Sequence, residues 1–168
     1  MALTNKTVRS RQHRGMSLLE VMVAMVVLMV GVGGCIAAIP FAIRTNFSNR
    51  QQSNSTVLAQ MVIEKIMSVP TGTTSTAITD CGGTSNTINT TAGGESVLSS
   101  GAIDYTATKP TGYYMNYTTC GSNGQQMVYD VRWNITALGD VKLITVSSKL
   151  NRGGTLPATI RSMIGTGD

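Results

Sequence analysis

Histidine is nearly missing from this 168-residue chain; the one copy, His13, stands among the basic residues at the N-terminus. Beyond it, imidazole cannot activate a nucleophile, and the commonest metal ligand is lacking. No Gly-x-x-x-x-Gly-Lys phosphate loop and no closely spaced calcium-type carboxylate run is present, and nothing marks a catalytic carboxylate pair. Charge is scarce too, at 12% Asp, Glu, Lys and Arg, about half the ~25% of ordinary soluble domains. Aromatic residues make up 5%, with a single tryptophan, so few rings are available to fill a core. These shortages lead us to expect no enzyme, no catalytic residue, no metal and no cofactor.

What charge there is lies unevenly. The formal net charge is +5, yet Lys6, Arg9, Arg11 and Arg14 fall within the first fifteen residues, where there is no acid. Nine of the thirteen Lys and Arg remain after Gly15, against eight Asp and Glu. The basic balance therefore belongs to the N-terminus, and nucleic acid is not indicated as a partner. Directly after the basic cluster runs GMSLLEVMVAMVVLMVGVGGCIAAI, Gly15 to Ile39, uncharged from Val21 onward. As a helix, Val21 to Ile39 would rise ~28 Å, close to the ~30 Å hydrocarbon core of a bilayer. We expect a single membrane-inserted helix over 16–39, with the basic side cytoplasmic and everything after Ile39 exported. Within it Gly33/Ala37 and Gly34/Ala38 fit the small-xxx-small pattern of close helix packing, though they also fit ordinary membrane-helix composition.

One residue does not suit a plain anchor. Glu20 is an ionisable group at the head of the apolar run, where insertion costs ~3 kcal/mol and where such groups tend to mark function. Arg14-Gly15-Met16-Ser17-Leu18-Leu19-Glu20 resembles the processing site of a type IV prepilin, in which a basic leader ends in glycine and a glutamate stands fifth in the mature chain. The family usually has phenylalanine after the cut, where this chain has Met16. The resemblance implies cleavage after Gly15 by a membrane-embedded prepilin peptidase, N-methylation of Met16, and a register role for Glu20 through pairing with a subunit's N-terminal amine. A buried carboxylate needs such a partner; the alternative is that Glu20 reaches back to the headgroups and has no role. The partners implied are that peptidase, other major and minor pilins, and the pilus assembly machinery of the inner membrane. The protein would reside in the inner membrane and then in the pilus or at the cell surface.

Pro40 is expected to kink the helix. Leu58, Met61, Val62, Ile66 and Val69 recur at helical spacing, and Pro70 stops the run. Residues 71–101 are rich in Thr, Ser, Gly and Asn and read as loop, with weak strands over 76–79 and 96–99. Stronger strand signals cover 103–108 and 113–119. The clearest is Met127, Tyr129, Val131, Trp133 and Ile135, alternating with Val128, Asp130, Arg132, Asn134 and Thr136, so the odd-numbered face should meet the helix. Gly139-Asp140 then turns the chain into a second strand, Val141 to Lys149, and a last one is expected over 158–164. The expected fold is α+β and pilin-like: a long N-terminal helix, membrane-spanning in its first half, packed on a C-terminal antiparallel sheet. The expected divisions are a removed leader 1–15, an assembly helix 16–39, its amphipathic continuation 40–70, and an exported β domain 71–168 with a variable region 71–120.

Tyr129 to Ile135, Lys142 to Val146, the apolar run and Leu58-Ala59-Gln60-Met61 also resemble the PilV-like type IV pilus modification proteins, which are minor pilins. A type II secretion minor pseudopilin would share the leader, helix and Glu20. Of the three cysteines, Cys81 and Cys120 fall in the exported part, where disulfides can form; we expect them to pair, closing a loop worth ~4 kcal/mol on the chain-entropy model, with two separately packed thiols as the alternative. Cys35 raises a different class. Val32-Gly33-Gly34-Cys35 resembles a lipobox, which would make the chain a lipoprotein lipidated at Cys35, but the apolar run continues past it through Ile39.

Overall fold

The computed structural model describes residues 16–70, 72–121, 124–152 and 156–165. The chain divides into two compact units, Met1–Arg44 and Thr45–Asp168. The first helix, α1, runs Leu18–Met67 and carries Pro40 in its interior. Proline has no N–H to give the Ile36 carbonyl, yet the helix continues. Every described residue of the first unit is exposed, so the apolar run presents hydrocarbon around its whole circumference. A helix that is apolar all round belongs inside a bundle or a membrane, and α1 is long and apolar enough to cross one.

In the second unit α1 acquires a buried stripe. Leu58, Ala59, Val62, Ile63 and Ile66 are buried, together with Gln51 and Ser55. Ala59 and Ile63 join the stripe; the expected Met61 is only partly buried at its margin, and Val69, also partly exposed, lies beyond the end of α1 at Met67. The helix ends as Ser68 N–H donates to the Glu64 carbonyl at 2.9 Å and Ser68 Oγ to the Lys65 carbonyl at 2.9 Å.

Eight strands follow: β1 (Ser75–Thr79), β2 (Ser85–Asn89), β3 (Leu98–Ser99), β4 (Ala102–Ile103), β5 (Tyr114–Cys120), β6 (Gln126–Leu138), β7 (Val141–Leu150) and β8 (Ala158–Gly165). β5-β6-β7-β8 form a four-stranded antiparallel meander, while β1-β2 and β3-β4 are separate hairpins. Leu138 pairs with Val141 across the Gly139-Asp140 turn, and Gly139 takes the positive φ of 62° that a glycine-first two-residue hairpin turn uses. Tyr129, Val131, Trp133 and Ile135 point into one core with Ile144, Val146 and Leu150 of β7 and the α1 stripe. This is the α+β arrangement of a long N-terminal helix packed on a C-terminal antiparallel sheet. At roughly 1.5–3 kcal/mol for each large apolar side chain buried, four such side chains on α1 are enough to hold its second half on the sheet.

Two strand expectations change. The run 103–108 pairs only through Ala102–Ile103, and its remainder is a loop held by side chains. The stretch Ser85–Asn89 is a strand the composition conceals, since only Ile88 of its five residues is apolar.

Candidate functional site

Gly15 lies outside the described residues. Beside it, Met16 is exposed and Ser17 begins α1 as its N-cap: Ser17 Oγ accepts the Glu20 N–H at 3.2 Å, and the Ser17 carbonyl accepts the Glu20 and Val21 N–H groups at 3.0 and 3.2 Å. Ser17-Leu18-Leu19-Glu20 thus has the S-x-x-E spacing of a capping box, with glutamate in the first turn where the helix macrodipole favours a negative charge. Sequence reasoning passed over Ser17, although that spacing was its signal. Glu20 is exposed, and no ion pair within the described residues involves it. A cation that neutralises it in an apolar setting is therefore not supplied by the described side chains. Further along, Gly31, Gly33 and Gly34 have open space where a Cβ would stand, so a second helix backbone could approach there. Cys35 is a free, exposed thiol, and α1 runs on past it without a break.

The second unit carries no comparable motif but two polar knots, the first with its disulfide at the surface and the second buried. In the first, Cys81 and Cys120 form a disulfide, with S–S 2.06 Å, Cα–Cα 5.9 Å and a sequence separation of 39. It ties the β1–β2 turn to the end of β5. Beside it the Asp80 carboxylate accepts the Thr84 N–H at 2.8 Å and the Thr118 N–H at 3.2 Å. Burial pushes its pKa up, but these backbone donors outweigh burial and hold it below the ordinary carboxylate value.

In the second knot, on the sheet face away from α1, Asp130, Arg132 and Asn134 are 6%, 3% and 7% exposed. Arg132 donates from Nε and Nη2 to the Asp130 carboxylate at 3.0–3.3 Å, and from Nη1 and Nη2 to the carbonyls of Asp104, Tyr105 and Ala107 at 3.1–3.2 Å. Lys109 Nζ completes the group 3.0 Å from Asp130. The Arg132 guanidinium also stacks 4.8 Å from the Tyr105 ring centre, and burial pushes the Tyr105 phenol pKa well up. Asp104 is lowered, first by the Thr106 hydroxyl at 2.6 Å and then by the Thr106 N–H at 2.8 Å. This network fastens the loop 104–109 to β6. Asp-x-Arg on one strand face was its only trace in the sequence. Among the described residues no three His, Cys, Asp or Glu side chains gather as metal ligands would.

A family model described as the prokaryotic N-terminal methylation motif matches residues 10–36. The match takes in Arg11 and Arg14 of the basic cluster, Gly15, Glu20 and most of the apolar run, and it supports a type IV prepilin-like precursor processed by prepilin peptidase and assembled with other pilins. It points to a structural subunit in place of an enzyme. Neither the search of curated proteins nor that of solved structures returned a match.

Proposed function

We propose that this chain is a minor pilin of a type IV pilus, of the PilV-like kind, cleaved between Gly15 and Met16 and N-methylated on Met16. The observation that carries the reading is the Gly15-to-Glu20 motif at the head of a helix whose every described residue up to Arg44 is exposed. That part of the helix has no packing surface within the described chain, so it needs a solvent of hydrocarbon. The bilayer supplies one before assembly, and neighbouring pilin helices supply the other afterwards. Moving between them keeps the apolar surface buried, so the transfer exposes little of it to water. Glu20 sets register because a carboxylate in that setting is tolerated only beside a cation, and the amine of a neighbouring N-terminus is one. The glycines at 31, 33 and 34 let helices close together. The mechanism is assembly, with the second unit exported.

The test is the intact mass and N-terminal peptide of the protein from its native membrane. The expected chain begins at N-methylated Met16. One beginning at diacylated Cys35 would overturn the reading, and so would an uncut chain in cells whose prepilin peptidase is active. Recovery from sheared, purified pili supports the pilus assignment. Recovery only with secretion-system pseudopilins replaces it with a type II pseudopilin.

A further inference from the structure

Strands β2 and β5 face each other edge to edge without pairing. The β1–β2 bonds engage alternate residues: Asp80 N–H goes to the Thr84 carbonyl, and Thr90 N–H to the Thr74 carbonyl. By the period of two, the backbone groups of Ser85, Thr87 and Asn89 turn away from β1. On β5, the Trp133 N–H donates to the Tyr113 carbonyl and the Gly121 N–H to the Gln125 carbonyl, so Tyr114, Asn116 and Thr118 turn away from β6. The two outward edges meet at their ends only. At one end Asn89 N–H donates to the Gly112 carbonyl at 2.9 Å, and at the other Cys81 N–H donates to the Thr118 carbonyl at 3.3 Å, beside the Cys81–Cys120 disulfide. Between those pins Ser85 and Thr87 on one side, and Tyr114 and Asn116 on the other, border a cleft of about 550 Å³. This is within the ~300–1,000 Å³ of small-molecule sites.

We propose that this cleft binds a neutral saccharide. Its lining mixes polar and apolar surface and carries no formal charge: Ser85, Thr87 and Thr111 bring hydroxyls and Asn86 and Asn116 bring amides, alongside Tyr114 and Met115. The nearest cation, Lys109, sits 5.3 Å over the Tyr114 ring and is engaged by Asp130 at 3.0 Å, so nothing there selects an anion. The outward backbone of the four edge residues adds N–H donors and carbonyl acceptors in alternation, which matches the mixed donor and acceptor pattern of sugar hydroxyls. An aromatic ring beside them suits the apolar C–H face of a pyranose. An extended peptide fits worse. The pins at Gly112 and Thr118 leave only two free residues on each edge, too short for strand addition. The inference uses residues of the second unit alone and stands apart from the pilin assignment.

The experiment applies the full chain in detergent micelles to an array of immobilised neutral oligosaccharides, sialylated oligosaccharides and extended peptides. Retention on a neutral oligosaccharide is expected, weakened at least tenfold by Ser85→Glu and unchanged by Gln52→Ala on exposed α1 surface. Hydrogen exchange on the unaltered chain gives a second reading that needs no variant: the retained oligosaccharide should slow the amides of Ser85, Thr87, Tyr114 and Asn116. Retention of no neutral glycan, or selection of sialylated glycans or peptides instead, overturns the proposal. So does neutral-glycan binding that leaves those four amides unprotected.

Discussion

Arg132→Ala should be among the most damaging single substitutions in the second unit. The residue is 3% exposed, and its loss removes every bond it gives to Asp130 and to the carbonyls of Asp104, Tyr105 and Ala107. Asp130 would keep Lys109, whose side chain is about a third exposed and therefore screened by water. Breaking a buried pair by removing one member costs ~3–5 kcal/mol, chiefly because the other charge stays behind uncompensated. With Lys109 still present we take the low end, ~3 kcal/mol. For a unit the size of Thr45–Asp168, that corresponds to a fall in Tm of about 10 °C. The assay is thermal unfolding of the full chain in detergent, without reductant, followed by the near-ultraviolet signal of Trp133, which lies in the core. Arg132→Met combined with Asp130→Leu removes both charges and should recover most of the loss, because the cost lies in the stranded charge. A single-variant loss below ~1 kcal/mol, or a double variant no better than the single, would refute this account of the network.

Four further outcomes are expected. Gly15→Ala should leave the leader attached, read as a heavier intact mass; normal processing would remove the prepilin reading. Glu20→Ala should be cleaved normally yet be depleted from sheared filaments at least tenfold, and equal incorporation would count against a register role. Cys81→Ser with Cys120→Ser should lower stability by ~4 kcal/mol on the chain-entropy estimate for a loop of this length, and neither cysteine of the unaltered chain should take up an alkylating agent without reductant. Asp80 and Asp104 both have carboxyls held below the ordinary value of 3.8. Their contribution is therefore intact above about pH 4 and lost as pH falls through the lowered folded values; a Tm profile from pH 6 to pH 2 should drop there, and less steeply in Asp80→Asn.

Where sequence reading succeeded, the signal was local. The apolar run after Gly15 needs no partner to be recognised, because hydrogen bonds within a helix are made between near neighbours. The alternation from Met127 to Ile135 identifies a strand and its core-facing side together, and Gly139-Asp140 identifies the hairpin. Ser85–Asn89 failed for the complementary reason: its polar side chains carry no period, and it is a strand because β1 lies beside it. The run 103–108 was overread because its β-rich composition answers to Arg132, a residue 28 positions from Asp104.

The amino-acid order alone thus determined the processing motif, the helix and the central hairpin, all encoded within a few turns or a few residues. Only the tertiary structure decided that the even-numbered face of β6 is covered and charged, that Cys81 and Cys120 come within 5.9 Å at Cα, and that β2 and β5 stand apart with an open cleft between them. Each of those rests on groups distant in sequence meeting in space. The free energy of such meetings depends on which surface each buried polar group finds on folding, and no local pattern records it.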